Sequence, residues 1–326
     1  MIHRLSLPKI ILGVLLLGLS TASLGGCAYV NVSLKDERKP LREQTLSGSG
    51  SYKILVTDVS GFISSGERQD NLLGNTTLPS LVSRVKEELE KAEQDKRVMA
   101  VVLRINSPGG MVTASDMIYH EIRAFREKTG RPVIASMIDL GTSGAYYIAQ
   151  AADRVIAHPT TVTGSIGVIM VRPDIEGLLT KLGIRTTEIK SGELKAMGSP
   201  FKPLSPEEQK VFQGVIDEMY DQFLKVVADG RKGLSPEKVR ALADGRIYTA
   251  KQALEAGLID GIGYLSDAVE LAKQLAGLDQ ARIIMYYRPG DFKGSFYAGP
   301  ITLNPAVLAS VLDGLTTPQF LYLWMP

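Results

Sequence analysis

The sequence predicts an α/β fold, a largely parallel sheet flanked by helices. From residue 52 onward, short apolar runs alternate with amphipathic helical stretches. Residues 98–105 (Val-Met-Ala-Val-Val-Leu-Arg-Ile) are almost continuously apolar, as expected of a strand covered on both faces. The helical stretches also carry their own start signals. Ser205-Pro206-Glu207-Glu208 combines a capping serine, a proline in the first turn and two acids placed against the helix dipole.

The elements follow in order. Residues 53–60 (Lys-Ile-Leu-Val-Thr-Asp-Val-Ser) read as the first strand. Residues 78–95 have helical periodicity, with Leu81, Val85 and Leu89 on one face and charges on the other. The strand at 98–105 ends in Asn106-Ser107-Pro108-Gly109-Gly110. A helix is expected over 113–128, with Thr113 and Ser115 as candidate caps. Met117, Ile118, Ile122 and Phe125 are its buried face and Gly130 its stop. Residues 132–138 are a third strand, and Ser143 opens a helix over 144–151. Strands are expected at 154–157, 168–171 and 186–190, the second of these after the turn Thr163-Gly164-Ser165-Ile166-Gly167. A helical segment covers 178–183, a long helix runs from Ser205 to Ala228, and Ser235-Pro236-Glu237 starts a shorter one. Residues 282–287 are a candidate strand. The apolar end, 301–326, carries Phe320, Tyr322 and Trp324, and is expected to pack either on the body or on a neighbouring subunit.

The ends have a different character. Arg4 and Lys9 precede an apolar run over 10–19, the length of a signal-peptide core and short for a spanning helix. Leu24-Gly25-Gly26-Cys27 follows, similar to a lipobox, in which the cysteine is lipidated and begins the mature chain. An uncleaved anchor is the alternative; on either reading the body is membrane-tethered, outside the cytoplasm. Residues 28–50 are polar and end in Ser47-Gly48-Ser49-Gly50, the composition of a tether. The expected division is a signal peptide at 1–26, a lipid-anchored tether at 27–50, a catalytic domain at 51–278 and a C-terminal extension at 279–326. Cys27 is the sole cysteine, which excludes an intrachain disulfide. Of 37 basic residues, removing Arg4 and Lys9 leaves 35 against 35 acidic ones, so nucleic acid is not an expected partner.

The chemistry centres on three segments. Ser143, just after a strand and at a helix start, projects its hydroxyl at the sheet edge beside the positive helix end. The competing reading is an ordinary capping serine. Gly-x-Ser-x-Gly is absent, because residue 145 is Ala. The turn at Pro108-Gly109-Gly110 offers backbone N–H groups to a developing oxyanion, unless it is merely a turn. The base is not expected to be imidazole, since the chain holds three histidines. His3 lies in the leader, His120 reads as surface, and His158 precedes Pro159. Lysine is the alternative, but a lysine must be desolvated to accept a proton. Lys195 lies among Leu194, Ala196 and Met197, an environment expected to bury it, and Lys190 is the more polar rival. No cluster suggests a metal, and no cofactor motif appears.

Five stretches resemble, in order and spacing, the signal peptide peptidase A family of the Clp protease/crotonase superfamily. They are Arg104 through Gly110, Thr142 through Ala149, Thr163 through Ile169, Lys190 through Pro200, and Ala243 through Ala250 with Gly257-Leu258-Ile259-Asp260. The resemblance covers roughly residues 52–275 and implies a Clp protease/crotonase-like fold. It further implies Ser143 as nucleophile, Lys195 as base, Ser165 as the hydroxyl that orients the lysine, and the Gly110 and Gly144 N–H groups as oxyanion hole. Family members carry glycine where this chain has Ala145. The implied substrates are cleaved signal peptides and other apolar peptides. The implied assembly is a homo-oligomeric ring whose catalytic pair is completed within one chain or across two. The expected location is a lipoprotein with its catalytic domain on the periplasmic side. An acyl-CoA enzyme on the same fold and a silent membrane-protein scaffold are the competing functions.

Overall fold

The computed structural model describes residues 40–69, 77–288 and 319–325. The expected signal peptide and Cys27 lie outside them. The strands are β1 (Arg42–Gly48), β2 (Lys53–Ser60), β3 (Arg68–Gln69), β4 (Thr77–Leu78), β5 (Val98–Ser107), β6 (Gly109–Met111) and β7 (Val133–Thr142). They continue as β8 (Arg154–Ala157), β9 (Val162–Gly164), β10 (Ile169–Val171), β11 (Ile247–Thr249), β12 (Gly261–Ile262), β13 (Arg282–Tyr287) and β14 (Gln319–Leu323). The helices are α1 (Leu81–Gln94), α2 (Val112–Thr129), α3 (Gly144–Ala149), α4 (Glu176–Lys181), α5 (Pro206–Gly230), α6 (Pro236–Leu242), α7 (Ala250–Glu255) and α8 (Leu265–Leu275).

The central sheet runs β1-β13-β2-β5-β7-β8-β12. Every neighbouring pair from β13 to β12 is parallel, and β1 closes the edge antiparallel to β13. One edge of β7 serves two partners in succession. Its start pairs with β8 and its end, Leu140 to Thr142, with β9, which in turn carries β11. The change of partner falls just before Ser143. Helices α1 and α2 pack on each other over one sheet face, and α8 crosses β2, β5 and β7. Apolar side chains pointing to the two faces fill separate cores, Val101, Leu103 and Ile105 on one side and Ala100, Val102 and Ile134 on the other. That two-sided burial is why residues 98–105 read as a continuous apolar run.

The local signals act as expected in most places. Ser205 and Glu208 form a reciprocal capping box at the start of α5, and Gly130 ends α2 with a φ of 66°. Differences have physical causes. Thr113 and Ser115 do not cap α2; the helix starts one residue earlier behind Met111, and the buried Ser115 hydroxyl donates to the Met111 carbonyl at 3.0 Å. Met117 is exposed rather than core. Residues 186–190 form no strand, because no neighbouring strand pairs with them.

The tether expected over 27–50 is corrected at its end. Arg42–Gly48 is a sheet strand, and Glu43 on it bonds the nearly buried Lys53 at 2.5 Å, while Lys53 also reaches Asp95 at 2.7 Å. The backbone supplies a full ladder, so polar side chains do not prevent this stretch from joining the sheet. The extension expected from residue 279 likewise begins inside the fold, since β13 lies between β1 and β2. Residues 319–325 pack on the body, through a second sheet ordered β10-β14-β6.

Candidate active site

Ser143 joins the end of β7 to α3 with φ 53° and ψ −117°. Among the described residues, it and Ser165 are the two non-glycine residues of positive φ. Such a conformation costs about 1–3 kcal/mol and persists only where the surroundings impose it. Here the Ser143 N–H donates to the Gly164 carbonyl at 2.7 Å, and its carbonyl accepts from the Tyr147 N–H at 2.9 Å. The capping alternative is not realised, because the Ser143 side chain makes no cap hydrogen bond. Its hydroxyl is buried and finds no hydrogen-bond partner among the described residues. A strained serine at a strand-to-helix turn with an uncommitted hydroxyl matches a nucleophile's setting.

The two-glycine turn meets Ser143 from the other side. Gly109 has a φ of +104°, and a Cβ built on it would lie 2.9 Å from the Gly144 nitrogen. A Cβ on Gly110 would lie 2.2 Å from the Ile63 carbonyl oxygen, and one on Gly144 would lie 2.4 Å from Ser115 Oγ. Glycine is required at all three because backbone approaches backbone or a buried hydroxyl. Gly110 and Gly144 are thus brought beside Ser143, and Gly109 belongs with them. Ser165 follows Gly164, so the hydrogen bond from Ser143 ties the two serine turns together; the Ser165 N–H donates to the Arg246 carbonyl at 2.7 Å.

Lys195 is not brought in. It lies in a single 3-10 turn, Glu193–Ala196, and every residue from 181 to 195 is exposed. The burial expected from Leu194, Ala196 and Met197 does not occur within one chain, since the segment has no covering element there. Lys190 is engaged locally instead, donating to the Glu193 carbonyl at 3.0 Å. His158 is held by Thr160 at 2.8 Å and packs edge-on against Tyr264, and it makes no bond to Ser143.

An aromatic group behind Ser143 is a feature that composition alone does not expose. Tyr146 and Tyr147 on α3 are fully buried. The Tyr146 hydroxyl donates to the Leu258 carbonyl at 2.7 Å and that of Tyr147 to Asp116 at 2.6 Å. Burial, reinforced by Asp116, pushes the Tyr147 hydroxyl well above its ordinary range. The Tyr147 ring packs against Tyr119, Phe223 and Tyr322. The signal was the paired tyrosine after Ala145, which a helical wheel reads only as core. Among the described residues no group of metal-ligating side chains occurs, and no helix is long and apolar enough to cross a membrane.

Comparisons with known proteins identify the family of the chain. The family model for Peptidase family S49 matches residues 125–279 and that for Clp protease matches residues 72–163. The chain is 41% identical over 231 residues to a putative protease of Synechocystis, covering 71% of this chain and 77% of that protein. It is 39% identical over 248 residues to a putative signal peptide peptidase SppA of Enterococcus faecium, covering 76% and 70% respectively. With Protease 4 of Haemophilus influenzae it shares 39% identity over 275 residues, but spans only 42% of that longer protein. The Clp protease-like α/β fold expected from sequence is the one observed. Identity at this level, sustained across most of two relatives, makes the chain a member of peptidase family S49 and a serine peptidase.

Proposed function

We propose that this serine peptidase hydrolyses residual signal peptides and other apolar peptides through a Ser143–Lys195 dyad, at a membrane outside the cytoplasm. The observation that carries the reading is Ser143 itself, a buried hydroxyl without a partner among the described residues, on a residue of positive φ beside two glycine amides. The Ser143 oxygen attacks the peptide carbonyl while the Lys195 amine takes its proton. The Gly110 and Gly144 N–H groups receive the oxyanion, an interaction worth about 3–4 kcal/mol per donor. Collapse breaks the C–N bond, the leaving amine takes the proton from Lys195, and water then releases the acyl group by the same route. Ser165 orients the lysine amine. An extended substrate pairs its backbone along β6.

Lys195 is exposed in the single chain, so the reading supplies it from a neighbouring copy in a homo-oligomeric ring. Support comes from the same stretch of chain, where Leu178, Leu182, Ile184, Ile189 and Phe201 are each exposed, apolar side chains of the kind that subunit interfaces cover. A lipidated Cys27 holds the assembly at the membrane where such peptides are left. The name of the Enterococcus relative points to the same substrates.

The test uses an apolar fluorogenic peptide. Ser143→Ala and Lys195→Ala each abolish hydrolysis while melting normally, and mixing the two proteins during assembly restores part of the activity. Hydrolysis surviving in Ser143→Ala overturns the reading. Inactivity of every mixture overturns the shared dyad.

A further inference from the structure

The C-terminal strand β14 lies between β6 and β10, antiparallel to both. Strand β6 begins at the two-glycine turn, so β14 occupies the backbone edge next to Ser143. Tyr322 stands opposite Gly110, and the Trp324 N–H donates to the Pro108 carbonyl at 3.0 Å. Hydrogen-bonded pairs alternate along an antiparallel ladder, which makes Gly110 and Tyr322 the next bonded pair. The Gly110 N–H is therefore directed at the Tyr322 carbonyl. The same carbonyl oxygen lies 3.2 Å from where a Cβ on Gly144 would sit. A main-chain carbonyl of the chain itself thus stands between the two glycines expected to hold an oxyanion.

The side chain is anchored as firmly as the backbone. Tyr322 is 1% exposed. Its ring stacks on Tyr147 with centroids 5.2 Å apart and tilts against Phe223 at 4.6 Å, and its hydroxyl donates to the Met219 carbonyl at 2.7 Å. The pocket is aromatic with one polar end, which suits a tyrosine-like side chain. Strand β14 contributes to the three-stranded sheet alone, so its departure leaves the central sheet whole.

We propose that residues 319–325 are a tethered peptide ligand of the active-site groove, anchored by Tyr322, which peptide substrates must displace. The inference rests on the proposed role of Ser143 and the two glycines. A tethered ligand acts at an effective concentration on the order of millimolar, so it competes strongly with dilute free peptide. The groove prefers free peptides that present an aromatic side chain to the same pocket.

Trp324 is the sole tryptophan and directly follows this strand, bonded to Pro108, so its emission reports docking without turnover. In full-length Ser143→Ala, the synthetic peptide Gln-Phe-Leu-Tyr-Leu-Phe-Met, which lacks tryptophan, is expected to shift Trp324 emission to the red in a saturable manner. Replacing its tyrosine by alanine weakens that titration by about tenfold or more. In the active enzyme, ending the chain at Pro318 lowers KM for an apolar fluorogenic peptide by about tenfold with kcat little changed, and the free peptide restores the higher KM. If the shortened chain does not fold, Tyr322→Ala in the full chain carries the same KM test. A purely structural strand gives another result: lower melting temperature and kcat, unchanged KM, and no emission shift with peptide. That result overturns the inference. Loss of hydrolysis in Ser143→Ala is scored separately, so a failed tail and a failed nucleophile are told apart.

Discussion

Gly109 faces the amide of Gly144 so closely that a Cβ on the first would lie 2.9 Å from the nitrogen of the second. The two residues come from different strand-to-helix connections, and their contact closes the site around Ser143. Gly109→Ala would also force a methyl to 2.1 Å from the Tyr322 carbonyl oxygen at a φ of +104°. Displacing the glycine amides from an oxyanion by this much is expected to lower kcat/KM about 100-fold or more, measured on an apolar peptide. Activity unchanged in Gly109→Ala would remove this turn from the catalytic site.

Ser143 stores strain, and its buried hydroxyl is unpartnered among the described residues. Replacing it by glycine relieves the positive φ at the cost of glycine's extra chain entropy. The net is a protein more stable by about 1 kcal/mol and catalytically dead. A higher unfolding midpoint in denaturant together with background hydrolysis is the expected pair of results. A destabilised Ser143→Gly would mean that the surroundings do not impose the strained conformation.

Lys195 is exposed within one chain. Lys195→Ala should leave monomer stability within about 0.5 kcal/mol of the parent. Hydrolysis should nevertheless fall about 100-fold or more, the range of a lost general base. Melting curves and steady-state rates on the same preparation separate the two effects.

Strand β1 is tied to the body through Lys53, which bonds both Glu43 and Asp95. Burial alone would raise the Asp95 carboxyl, but the hydrogen bond from Lys53, the Arg97 N–H and the Lys53 charge outweigh it and hold the group at about 2. A carboxyl whose folded value lies below its unfolded one binds fewer protons when folded. Its stabilisation is therefore complete above the unfolded value of 3.8 and is lost as pH falls toward 2. Asp95→Asn is expected to cost about 2 kcal/mol at neutral pH, with the two proteins converging in denaturant melts only as pH falls to about 2. A pH-independent difference would show that the charge plays no part.

Much of this protein was legible along the chain because much of it is locally encoded. Ser205 and Glu208 cap α5 through atoms three residues apart, and Gly130 ends α2 by its own backbone freedom. The paired serine turns were visible as motifs, although only the folded chain reveals that the Ser143 N–H bonds the Gly164 carbonyl and that the Ser143 side chain makes no cap bond to α3. Residues 42–48 look like a linker in sequence, since nothing in Arg-Glu-Gln-Thr-Leu-Ser-Gly names β13 as a partner. Residues 186–190 look like a strand and are not one, for the converse reason that no partner is offered.

The sequence by itself determined the α/β alternation, the helix boundaries set by capping residues, the serine at a strand end, and the glycines at the neighbouring turn. The tertiary structure alone decided that β1 joins the sheet, that β14 lies against Gly110, and that Lys195 is uncovered in one chain. Torsion preference and burial pattern act over a few residues and leave a local signature. Pairing at a sheet edge uses backbone groups common to every residue, so its partner is chosen only when distant segments meet.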